Sequence, residues 1–137
     1  MKAKVAAVLM AVLGVALFAI PAQAHHAFTA EFDGSKVITL TGTLTRVDWI
    51  NPHVWFYLDV KDANGKVTNW SVESNATVAM HRDGALRSMF VLGDTLVFQV
   101  NPAKDGTLNR ASLRHVKFPN GTEINFKNNN DPPPDEK

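Results

Sequence analysis

The stretch HVWFYLDVKDANGKVTNWSVES, residues 53–74, holds two runs of alternating character on either side of an Asn-Gly turn. In an extended chain, side chains one apart point to opposite faces. Val54, Phe56, Leu58 and Val60 therefore share one face, and His53, Trp55, Tyr57 and Asp59 the other. In the second run Thr68, Trp70 and Val72 form the inward set, leaving Val67, Asn69, Ser71 and Glu73 outward. A hairpin with one buried face must set its two inward rows opposite each other, which makes the turn length decisive. A two-residue turn at Asn64-Gly65 would pair Val60 with Asn69 and mix the faces. A three-residue loop, Ala63-Asn64-Gly65 with Gly65 left-handed, pairs Leu58 with Trp70 and Phe56 with Val72 instead. This register sets Trp55 across from Glu73, Tyr57 across from Ser71 and Asp59 across from Asn69.

Working outward, residues 37–49 read as a first strand. Its inward row of Leu40, Gly42 and Leu44 gives way to Val47 and Trp49, an odd step that predicts a bulge near Thr45-Arg46. After the hairpin the period breaks: Ser74 or Asn75 is placed to cap a short helix ending at Gly84. Further strands follow over residues 95–100 and 108–118, with a short last one ending near Phe126. The expected fold is all-β, an OB-fold-like barrel of five or six strands with one short helix between the third and fourth. The same strands would also serve an open meander or a two-sheet sandwich.

The ends of the chain read differently. Lys2 and Lys4 precede an apolar run over residues 5–20, then Pro21 and the small-residue site Ala22-Gln23-Ala24, the order of a secretory signal peptide. The run is short for a membrane anchor, the other reading of this segment. Removal of residues 1–24 leaves a single domain over residues 25–126, a polar, proline-rich tail over residues 127–137, and a mature chain beginning His25-His26. Twelve basic against thirteen acidic side chains then remain, without the basic excess of a nucleic-acid binder. No membrane span is expected after cleavage. The chain lacks cysteine, so a domain exported to the periplasm or medium is held by packing, not disulfides.

Several stretches resemble a known family. HHAFTAEFD from His25, TGTLTRVDWINPHVWFYLDV from Thr41, NWSVES from Asn69, LGD from Leu92 and AKDG from Ala103 are similar to the DUF6152 family of small exported bacterial proteins. The chain departs from that pattern at Gly84-Ala85, where a tryptophan would follow the glycine. The resemblance implies export and a compact β-domain and assigns no activity.

Chemistry falls to the histidines. A mature N-terminus at His25 offers an α-amine and an imidazole together, a chelate suited to Cu(II), Ni(II) or Zn(II). His26 in position two adds a further donor, and His53, at the outward start of the second strand, is the expected third ligand of a copper site. The plain alternative makes His25-His26 a polar leader and leaves His53 hydrogen-bonded in the Asn51-Pro52 corner. His81 and His115 read as solvated surface. No nucleophile elbow, paired carboxylates or phosphate loop is present, so a non-enzymatic role is expected. A second function class is a metal-free module binding a sugar, peptide or protein partner on Trp55, Tyr57, Asn69, Ser71 and Glu73, unless Phe28 and Phe32 fold over those rings.

Protein exported by a bacterial host is expected to begin at His25, because Ala22 and Ala24 are the only well-placed small pair after the apolar run. Intact-mass measurement checks this, and any other start removes the chelating amine.

Overall fold

The computed structural model describes Phe28 and residues 30–127. The chain divides into two compact units, Met1–Ala30 and Glu31–Lys137. Of the first, only Phe28 and Ala30 are described, both helical. The apolar leader, His25, His26 and the tail beyond Lys127 lie outside the described residues.

The second unit is an all-β barrel. Its strands are β1 (Ile38–Asp48), β2 (Trp55–Lys61), β3 (Val67–Glu73), β4 (Thr95–Pro102), β5 (Arg110–Lys117) and β6 (Glu123–Asn125), with a short helix α1 (Thr77–Arg82) between β3 and β4. The order β3-β2-β1-β4-β5-β6, with a further parallel pairing of β3 to β5, closes five strands into a ring and leaves β6 as an extra strand on β5. This is the OB-type order, with the helix at one end. Among the described residues no helix is long and apolar enough to cross a membrane.

The hairpin register is the one the alternation requires. Leu58 faces Trp70 and Phe56 faces Val72, while Trp55, Tyr57 and Asp59 face Glu73, Ser71 and Asn69. The Asp62 N–H donates to the Lys66 carbonyl, closing the three-residue loop, and Gly65 sits at φ 82°. β1 is bulged where its apolar period slips: Leu44 pairs with Leu58 but Arg46 with Tyr57, so Thr45 is the extra residue. A second bulge lies in β5, where Val100 faces Leu113 and Gln99 faces His115. It puts both Leu113 and Val116 into the core, and it falls where the edge of β5 passes from β3 to β6.

The barrel is filled by aromatic rings. Phe56 packs on Phe90 at 4.5 Å and edge-on to Phe98 at 5.5 Å, and Phe90 reaches Phe118 at 5.1 Å. Phe90 comes from the loop before β4, and with Met80 of α1 and Ala85 it plugs the barrel end. Truncating such a buried ring typically costs about 3–5 kcal/mol. The position after Gly84, where a tryptophan was expected, thus holds a fully buried alanine.

The cap of α1 differs from the sequence reading. Neither Ser74 nor Asn75 caps it: Ser74 is buried with its hydroxyl against Met80 Sδ. The Asn51 side chain, 26 residues upstream, accepts from the Thr77 N–H and hydroxyl, doing from the β1–β2 loop what a local cap would do. The far end closes as anticipated, with the Gly84 and Ala85 N–H groups donating to the His81 and Met80 carbonyls.

Two glycines carry distinct constraints. At Gly65 only the left-handed φ restricts the residue, whereas at Gly42 a Cβ would lie 2.9 Å from the Asp59 carbonyl oxygen and 3.0 Å from Val60 Cγ2. Gly65→Val is expected to cost about 1–2 kcal/mol through backbone strain, and Gly42→Ala about 1–3 kcal/mol through overpacking. Urea unfolding checks both. A change near zero at position 65 would count against the register, and one at position 42 against the close coil of β1 over β2.

Candidate functional site

The outward rows of β2 and β3 are extended on both sides by neighbouring strands. On one side the β1 bulge turns Arg46 and Asp48 toward Tyr57 and Trp55. Arg46 donates to Asp48 through Nε at 2.8 Å and Nη2 at 2.7 Å, and its guanidinium lies 4.9 Å from the Tyr57 ring centroid. The Tyr57 hydroxyl donates to the same carboxylate at 3.2 Å.

On the other side, barrel closure sets Arg110 beside Ser71. Its guanidinium lies 4.6 Å from the Trp55 ring centroid and contacts Glu73 Oε2 at 3.2 Å and Glu31 Oε1 at 2.9 Å. The Asn69 amide donates to Asp59 Oδ1 at 2.9 Å. All five residues expected on this face are thus brought together. Arg46, Asp48, Arg110 and Glu31 join them and were missed. The odd step at Thr45 was the available signal for the first two; Arg110 and Glu31 are joined to the face only by tertiary structure.

The two rings are covered by guanidinium groups. Each cation balances the negative face of a ring and at least one carboxylate; the Arg110 pair with Glu73 is partly desolvated, whereas Arg46 is largely exposed and its pair with Asp48 is a surface ion pair. Phe32 forms a backbone bridge to Ala103 and its side chain is buried, and the Asp33 N–H donates to the Pro102 carbonyl.

His53 is half exposed at the end of the face. Its Nδ1 lies 3.0 Å from the Ser74 carbonyl oxygen and 3.1 Å from Glu73 Oε1. Both neighbours accept, so Nδ1 is the ring nitrogen placed to donate. Among the described residues no group of three or more His, Cys, Asp or Glu side chains is placed to hold a metal ion, while the expected partners His25 and His26 lie outside those residues. His81 is exposed, as read, and stacks on Trp49 at 5.9 Å. His115 departs from its reading as solvated surface: its side chain is 14% exposed and its Nε2 meets Glu123 of the adjoining β6 at 3.1 Å. Lys117 first, and His115 after it, hold the Glu123 carboxyl below its ordinary value.

Burial raises the Tyr57 phenol above its ordinary value, and the charge and hydrogen bond of Asp48 raise it further. The fold therefore favours the protonated phenol. That contribution is complete below the unfolded-state value near 10 and is lost as pH rises through the higher folded value. Thermal melts between about pH 8 and pH 11 are expected to show an alkaline loss of stability that Tyr57→Phe flattens; identical profiles would show that this phenol does not couple to folding.

Comparison with known proteins adds one finding. Neither a curated protein nor a solved structure matches the chain. A family model described as a family of unknown function (DUF6152) matches residues 11–115, most of the chain and nearly all of the barrel, and the protein belongs to that family.

Proposed function

We propose that this is an exported, periplasmic, non-enzymatic binding protein for a transition-metal ion, Cu(II) foremost, with His25, His26 and His53 as its ligands. The observation that carries the reading is the pair of acceptors, the Ser74 carbonyl and the Glu73 carboxylate, at Nδ1 of His53. Metal-ligating histidines characteristically donate their second ring N–H to a carboxylate or backbone carbonyl, which orients the ring and raises the basicity of the free nitrogen. His53 has both kinds of acceptor at Nδ1 and is half exposed, so Nε2 is a preset donor. At the mature N-terminus the α-amine and the two imidazoles form a chelate that needs no fold to assemble.

The Trp55, Tyr57, Asn69, Ser71 and Glu73 face favours a second reading, a metal-free module for a sugar, peptide or protein partner. Arg110 and Arg46 already occupy the ring faces, so such a partner would meet guanidinium edges and carboxylates before bare aromatic surface.

Calorimetric titration of the exported protein with Cu(II) tests the first reading. One strong site is expected at neutral pH, weakening below about pH 6 as protons compete for imidazole and amine. A methionine added ahead of His25 displaces the chelating amine, and His53→Ala removes the barrel's ligand; each is expected to weaken binding at least tenfold. Loss with the added methionine alone would make His53 structural. Binding no tighter than that of a dihistidine peptide would sink the metal reading and leave the outer face as the site.

A further inference from the structure

The Glu73 side chain is only 15% exposed, and its two oxygens serve different partners. Oε1 lies 3.1 Å from His53 Nδ1, and Oε2 lies 3.2 Å from Arg110 Nη2. A carboxylate turns about its side-chain bonds unless one oxygen is held, and a mostly buried one left without a cation is costly. Arg110 meets both needs. Its Nε is buried without a partner, so the guanidinium grips the protein through its two terminal nitrogens, Nη2 at Glu73 and Nη1 at Glu31, 2.9 Å from Oε1. The Trp55 ring, 4.6 Å away at its centroid, supports the group from beneath.

The sheet fixes this arrangement. Glu73 pairs with Trp55 on β2 and with Ser112 on β5, while Arg110 pairs with Ser71 on the same outward row as Glu73. His53, Glu73, Arg110 and Glu31 are thus joined by three contacts, none of them between neighbours in the chain. The Ser74 carbonyl, 3.0 Å from the same ring nitrogen, is backbone and stays where β3 leaves it. Glu73 is the acceptor that can move, and Arg110 is what holds it.

We propose that Arg110 is a positioning residue for His53. By gripping Oε2 of Glu73 it turns Oε1 toward Nδ1, keeps the ring proton on that nitrogen and leaves Nε2 as the electron-pair donor. Through Nη1 it makes this setting depend on Glu31, in the segment that leads into the barrel. For its consequence in metal binding the inference rests on the reading of His53 as a ligand; for the placement of the proton it does not.

Long-range proton–nitrogen correlation spectra of the exported protein, free of metal, test it by showing which ring nitrogen carries the proton. They are recorded at about pH 8.5, roughly two units above the reference value of histidine, with the His53 signals assigned by their loss in His53→Ala. An isolated neutral histidine favours the proton on Nε2, whereas His53 is expected to carry it on Nδ1. Arg110→Gln is expected to shift His53 toward the Nε2–H form. Glu31→Gln, which leaves Arg110 and Glu73 in place, is expected to shift it the same way by less. Arg110→Lys is expected to restore part of the effect, because an ammonium keeps the charge but lacks the fork that spans two carboxylates. Arg46→Gln, which removes the guanidinium paired with Asp48 over Tyr57, is expected to change nothing. In the Cu(II) titration Arg110→Gln is expected to weaken the site about tenfold. With melting temperatures showing the variants folded, three results would overturn the proposal: a wild-type His53 protonated on Nε2, a proton that stays on Nδ1 in both Arg110→Gln and Glu31→Gln, or an equal shift with Arg46→Gln. Wild-type Cu(II) binding no tighter than that of a dihistidine peptide overturns the metal reading alone, since the proton is located without metal.

Discussion

Three residue pairs between β3 and β5, Ser71 with Arg110, Val72 with Ala111 and Glu73 with Ser112, hold the architecture together. Without them the strands would form an open sheet with β3 as a bare edge, a template for pairing with other chains. With them the sheet closes, Val72 and Ala111 become fully buried, and the chain must cross from the end of β3 to the start of β4 over one mouth of the barrel. The short helix and Phe90 fill that mouth. In a domain of this size without a disulfide, closure and the plug supply much of the buried apolar surface on which stability rests.

Closure also builds the outer face. Arg110 reaches Trp55 and Glu73 because β5 runs beside β3, and the segment at Glu31 follows because its backbone joins the neighbouring turn, the Lys104 N–H donating to the Glu31 carbonyl. Glu73 consequently touches both Arg110 and His53. One carboxylate links the cation–π pair to the histidine, so a change at either end is felt at the other through a shared, mostly buried group. This links the proposed ligand His53 to the segment at Glu31, the one meeting Glu73 and the other Arg110.

The mouth that α1 plugs has a different character. Its inner surface is aromatic, Phe90 packing on Phe56 and Phe118, and its outer surface carries exposed aliphatic side chains such as Val78 and Leu86. Asn51 holds the start of the helix to the β1–β2 loop.

The sequence by itself determined the strands, the hairpin register and the β1 bulge, because each follows from the period-two rule applied to neighbouring residues such as Leu58, Trp70, Leu44 and Val47. It also brought Trp55, Tyr57, Asn69, Ser71 and Glu73 onto one face, for the same reason. Only the tertiary structure decided that Asn51 caps α1 in place of Ser74, that His115 is covered by β6, and that Arg110 closes over Trp55. The cap and the Arg110 contact depend on residues far apart in the chain meeting across the closed barrel, whereas the step from Leu113 to Val116 is the same local signal as that from Leu44 to Val47 and was missed. Alternation along a strand carries no information about which distant strand will lie beside it.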